Sequence, residues 1–81
     1  MIITGRHVAA ARGLLGMTQG DLCAASGVSR KTLIDWESGH TTPRGDTVAR
    51  IRDALERRGI EFSNGGEPGV KLRPSKAVIP V

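Results

Sequence analysis

Only three residues, Ser26-Gly27-Val28, separate two short helical segments in this sequence, and that interruption restricts the fold more than any other feature. Upstream of it, Thr18-Gln19-Gly20-Asp21 has the Ser/Thr-x-x-acid form of a capping box, in which a hydroxyl and a carboxylate satisfy the free backbone donors of a helix start. The spacing predicts a helix from residue 19 to about residue 25. Gly20 in its first turn costs about 0.5–1 kcal/mol relative to alanine, which the cap outweighs. Gly27 suits a positive φ that a side chain would resist, and Ser29 then supplies a new N-cap. The segment 30–38 follows, with Leu33 and Trp36 at i, i+3 on one face, polar and cationic residues on the other, and Gly39 as its stop. Two helices therefore meet at a tight turn, and the second has an apolar back and a basic front.

The remaining segments supply the body on which such a pair could sit. Residues 5–15 place Val8, Ala11 and Leu15 at helical spacing, with Thr4 as cap and Gly16 as terminator. Residues 46–58 carry the stripe Val48, Ile51 and Leu55, stop at Gly59, and hold Arg57 and Arg58 in the last turn, where cations favour the negative end of the helix dipole. Past residue 59 the period changes from helical to alternating. Ile60-Glu61-Phe62-Ser63 and Val70-Lys71-Leu72-Arg73 read as two strands around the loop Asn64-Gly-Gly-Glu-Pro-Gly69, a hairpin with Ile60, Phe62, Val70 and Leu72 on one face. The tail from Pro74 is expected to be mobile. The expected division is a helical part, 1–59, and a C-terminal hairpin extension, 60–81.

Size and charge bound what such a body does. With 81 residues, one apolar core is all the chain can build, and its stability is expected to be marginal. Lys and Arg number 12 against eight Asp and Glu, a net charge of +4, with a pI near 10.2. Most of the cations are arginine, whose planar fork suits phosphate and guanine edges, so a polyanionic partner is favoured. The single cysteine, Cys23, cannot make an internal disulfide, and with two histidines it forms no metal-ligand spacing. No metal or other cofactor is expected. No apolar run reaches signal-peptide or membrane-span length, which favours the cytoplasm and no membrane partner. No nucleophile elbow, phosphate-cradling loop or paired-carboxylate arrangement is visible, so an enzyme is not expected.

A helix with an apolar back and a basic front fits the major groove of DNA, which is about 12 Å wide, and its first turn reaches the base edges. In this chain that turn is Ser29, Arg30, Lys31 and Thr32. Here the residues resemble a known family, the phage Cro and CI-repressor-like (Xre-type) helix-turn-helix domains. The resemblance runs from Arg12 to Leu55 and includes Leu15-Gly-Met-Thr-Gln19, Leu22, Gly27-Val-Ser29, Thr32-Leu33, Trp36-Glu37-x-Gly39, Pro43, Thr47, Ile51 and Ala54-Leu55. It implies a mainly α, compact four-helix domain of the lambda-repressor type, here with the short C-terminal hairpin added.

Carried over by position, the resemblance implies that Ser29, Arg30, Lys31 and Asp35 face the bases. It places Thr18 and Gln19 on the phosphates, with Thr32 beside them. The loop carrying His40, Thr41, Thr42 and Arg44 would run along the adjoining backbone, holding register without reading sequence. Arg12 and Glu37 occupy positions of a structural ion pair. The pattern is not followed everywhere: Cys23 stands where alanine is usual, Gly20 replaces a better helix former, and Ile34 is unusual for a solvated surface. Ile34 either contacts a thymine methyl or is half covered.

Blander readings stand beside these. In an arbitrary helix Arg30 and Lys31 would be an ordinary solvated pair, and only the surrounding motif reverses that preference. A lone tryptophan such as Trp36 can serve as a stacking platform, but its spacing from Leu33 makes it core. His7 and His40 are too isolated for catalysis, and Arg50, Arg52, Arg57 and Arg58 are most simply the wet face of the last helix. The expected function is sequence-specific binding of double-stranded DNA by a repressor-like transcriptional regulator acting as a homodimer at the nucleoid. The alternative is an antitoxin-like or adaptor module with a protein partner, for which an apolar tail of Val70, Leu72 and residues 77–79 would speak.

Overall fold

The computed structural model describes residues 3–63 and 69–72. Helix α1 (Gly5–Leu15) is followed by α2 (Gln19–Ser26), α3 (Arg30–Glu37) and α4 (Gly45–Glu56), then by strands β1 (Ile60–Ser63) and β2 (Gly69–Leu72). The expected caps are in place at three helix starts. Thr4 accepts from the His7 amide at 3.3 Å, Thr18 from the Asp21 amide at 3.0 Å, and Ser29 from the Thr32 amide at 3.2 Å. Each satisfies a backbone donor that the helix itself leaves free.

Several boundaries differ from the sequence expectation. Helix α4 begins at Gly45 and ends at Glu56, not 46–58, because the last turn tightens: the amides of Arg58 and Gly59 donate three residues back, to Leu55 and Glu56, at 3.0 and 3.1 Å. Arg58 nevertheless serves the helix end, since its Nη1 donates to the Ala54 carbonyl at 2.8 Å. Helix α3 ends at Glu37, with Ser38 as its cap residue, and α2 extends one residue to Ser26, whose hydroxyl donates to the Leu22 carbonyl at 2.7 Å. Strand β2 begins at Gly69, taking that residue out of the expected loop. The loop at 64–68, the strand end at Arg73, the tail from Pro74 and the apolar run 77–79 lie outside the described residues.

The core gathers one stripe from each helix. Val8, Ala11 and Leu15 from α1, Leu22 from α2, Leu33 and Trp36 from α3, and Ile51, Ala54 and Leu55 from α4 form one buried cluster. A fully buried aliphatic side chain of this kind contributes about 1.5–3 kcal/mol. Ile3, Val28, Ile60 and Phe62 belong to the same cluster, so β1 is built onto the helical core. The strands are antiparallel with Ile60 opposite Leu72 and Phe62 opposite Val70, which puts all four on one face as the alternation predicts. That face lies against the helices, β2 packing on α1 and β1 on α4.

Candidate nucleic-acid interface

The turn between α2 and α3 sets which way the third helix faces. Gly27 takes φ 73°, ψ 18° and its amide donates to the Cys23 carbonyl at 2.8 Å. That left-handed conformation costs an L-residue about 1–2 kcal/mol, so a glycine there turns the chain without strain. Val28, within the turn, is buried and pins it to the core. Leu33 and Trp36, 1% and 3% exposed, then hold the back of α3 inward. Arg30 and Lys31 are left on the solvent side of the first turn, with Ser29 at the cap position before them. The Ser29 hydroxyl also donates to Thr32 Oγ1 at 2.8 Å, tying the two hydroxyls together. One turn on, the Asp35 carboxylate lies 3.5 Å from Lys31 Nζ. This pair is solvent-exposed and worth a few tenths of a kcal/mol at most.

A partly buried polar network fixes α2 and α3 against α1. Arg12 donates through Nε and Nη2 to the two oxygens of Glu37, both at 2.7 Å, and through Nη1 to the Met17 carbonyl at 2.9 Å. Gln19 Nε2 donates to Glu37 Oε1 at 3.1 Å. Side-chain exposure is 18% for Arg12 and 7% for Glu37, and the two-point fork is the strongest geometry an Arg–carboxylate pair adopts. The hydrogen bonds that Arg12 donates to Glu37 hold the pKa of its guanidinium above the ordinary, already high value against the opposing effect of burial. The expected ion pair is thus present. Its extension to Gln19 was not expected, because it joins residues 18 positions apart.

The loop after α3 is organised by one backbone oxygen. The Asp35 carbonyl accepts from the amides of His40 at 2.9 Å and Thr41 at 3.4 Å, and from the Ser38 hydroxyl at 3.2 Å. His40 Nδ1 lies 2.7 Å from Ser38 Oγ. His40, Thr41 and Thr42 are exposed, and Arg44, at the cap position of α4, has its Nε 3.6 Å from Asp46. The residues assigned by resemblance therefore occupy three places: the start of α2, the outer side of α3 and the loop into α4. Thr18 is exposed, while Gln19 and Thr32 are half-buried.

At the start of α2, Asp21 accepts from the Thr18 amide at 3.0 Å through Oδ2, completing the capping box. That backbone hydrogen bond, helped by the Thr18 hydroxyl, lowers the Asp21 pKa from the ordinary 3.8. A carboxylate so lowered stabilises the fold above its unfolded-state pKa, and the contribution is lost as pH falls through the lower folded value. Asp21→Asn should therefore melt below wild type at neutral pH, with the gap closing as pH drops past 3.8. Thermal melts across that window check it, and a gap independent of pH would remove the carboxylate from the cap.

Two features of the site carry no simple sequence signal. His7 stands at the third position of α1 and accepts from the Thr4 amide through Nδ1 at 3.0 Å, a capping box in which histidine replaces the usual acid. Gly5 lies so close to the end of α3 that an added Cβ would overlap the Trp36 carbonyl and stand 2.8 Å from Glu37 Cα. Among the described residues no group of His, Cys, Asp or Glu is arranged to hold a metal ion. No helix of the described residues is long and apolar enough to cross a membrane.

Comparison with known proteins bears on this geometry directly. A family model described as helix-turn-helix matches residues 8–62. No curated protein matches the chain. The matched stretch contains all four helices from Val8 onward, the capped turn and β1 as far as Phe62, and more than half of the sequence. The chain belongs to the Cro/C1-type helix-turn-helix family of DNA-binding domains, with the lambda-repressor-like fold.

Proposed function

We propose that this protein binds double-stranded DNA sequence-specifically and acts in the cytoplasm, at the nucleoid, as a repressor-like transcriptional regulator. The observation that carries the reading is the orientation of α3: with Leu33 and Trp36 in the core, Arg30 and Lys31 stand exposed on its opening turn. In the major groove these two donate to guanine O6 and N7, Asp35 accepts from cytosine N4, and Ser29 contacts either kind of edge. Thr18, Gln19, Thr32, His40, Thr41 and Arg44 contact phosphate. A glutamine amide has two N–H donors. Glu37 takes one from Gln19, and the other is directed to the backbone of the DNA.

One such helix contacts few bases, so the protein acts as a homodimer that places two copies of α3 about 34 Å apart on an inverted repeat. Among the described residues, the two-stranded sheet and the outer face of α4 are the candidate surfaces for pairing. Among the described residues the sheet has two strands, which also supports a second reading, an antitoxin-like or adaptor module that adds a partner's strand.

Selection of binding sites from random duplexes tests both parts. It is expected to return an inverted repeat, with affinity falling steeply between about 50 and 200 mM salt. On that site Arg30→Ala loses about 1–3 kcal/mol of discrimination at one or two base positions, whereas Gln19→Ala weakens all sequences alike. An unrepeated half-site refutes the dimer, and equal losses on every sequence for both variants refute the assignment of roles.

A further inference from the structure

We propose that Ile34 reads the 5-methyl group of a thymine and is a specificity-determining residue of this interface, an inference that rests on α3 entering the major groove. Ile34 is 41% exposed, and Leu14 on α1 is the other exposed large hydrophobic side chain among the described residues. Its own fold covers part of this side chain and leaves the rest open to a partner. Its immediate neighbour Leu33 and the nearby Trp36 are buried, so the core fixes the rotation of α3 and leaves Ile34 on the outer side. There it follows Arg30 by four residues and Lys31 by three, one turn behind both cations.

The chemistry of that position selects its occupant. Water and phosphate give an isoleucine nothing. Of the groups that line the major groove, only the thymine C5-methyl is apolar, while every other base edge there offers a donor or an acceptor. Isoleucine in a helix is held close to one χ1 rotamer, so its terminal carbons are presented with little ordering left to lose. The cations one turn earlier bind the hydrophilic edges beside it, and the Lys31–Asp35 pair at 3.5 Å closes the flank of the face. Hydrogen-bonding residues and an apolar one thus sit on a single turn-and-a-half of helix, which is what discriminating a thymine step beside a guanine requires.

The test removes the methyl and nothing else. In the best duplex from the selection, each thymine is replaced in turn by deoxyuridine, and affinity is measured for wild type, Ile34→Val and Ile34→Ala. At one thymine in each half-site the replacement should weaken wild-type binding about fourfold, the worth of one buried methyl, and leave Ile34→Ala unchanged, with Ile34→Val between them. Because Ile34 is exposed, the variants should melt with wild type, which separates a lost contact from a lost fold. A selected site without thymine, a wild type indifferent to every replacement, or the same loss in Ile34→Ala overturns the proposal. If Arg30→Ala still changes base preference in those cases, entry of α3 into the groove survives and only the role of Ile34 falls. If Arg30→Ala changes nothing either, both fall together.

Discussion

Gly5→Ala is expected to destabilise the domain by on the order of 3 kcal/mol, a large share of what an 81-residue fold possesses. The loss does not come from backbone conformation, since Gly5 is an ordinary first residue of α1. It comes from space. A Cβ there would overlap the carbonyl of Trp36 and come within 2.8 Å of Glu37 Cα, and main-chain atoms cannot swing aside as a flexible side chain can. Relief requires the start of α1 to back away from the end of α3, which loosens Val8 and Trp36 together. Gly13, two turns along the same helix, is the control: nothing lies within 4 Å of its added Cβ, so Gly13→Ala should stabilise by about 0.5–1 kcal/mol through helix propensity. Urea denaturation of both variants reads the opposite signs. A neutral Gly5→Ala would mean that α1 does not seat on α3 as described.

Removing Glu37 should cost nearly as much for a different reason. Glu37→Ala leaves the Arg12 guanidinium, 18% exposed, with only the Met17 carbonyl as partner, and frees the Gln19 amide at the same time. Stranding one member of a buried pair costs about 3–5 kcal/mol; the residual exposure of Arg12 places this case at the lower end. The double variant Arg12→Met/Glu37→Leu should recover much of that loss, because the cost lies in the uncompensated charge rather than in any large net gain from the pair. Arg12 contributes no pH dependence near neutrality, since a raised arginine pKa is titrated only in strong alkali. Denaturation of the two single variants and the double completes the cycle. Losses that simply add would show the two residues to be uncoupled.

Both effects mark where the sequence stops being informative. The helix starts are legible because a cap is a local device: Thr4, Thr18 and Ser29 each bond to an amide three residues on, and that spacing is visible in the chain. The outward face of α3 is legible for a similar reason, since the helical period alone puts Leu33 and Trp36 opposite Lys31. The seating of Gly5 on Trp36 has no local signature, because it depends on how two helices 31 residues apart cross. The Gln19–Glu37 bond and the role of the Met17 carbonyl are likewise tertiary. Val28 reads as part of a break and yet is buried, because the turn folds over the core. The early end of α4 follows from a switch to tighter hydrogen bonds in its last turn, which Arg57 and Arg58, both tolerable in a helix, do not announce.

Titrating the isotopically labelled protein with its selected duplex and following each backbone amide by NMR tests the central claim most directly, namely that the opening of α3 is the surface that enters the groove. The largest shifts are predicted at Ser29 to Asp35, with a second set at Thr18 and Gln19 and a third from His40 to Arg44. Shifts confined to α4 and the two strands, with Arg30, Lys31 and Ile34 unmoved at saturation, would contradict it.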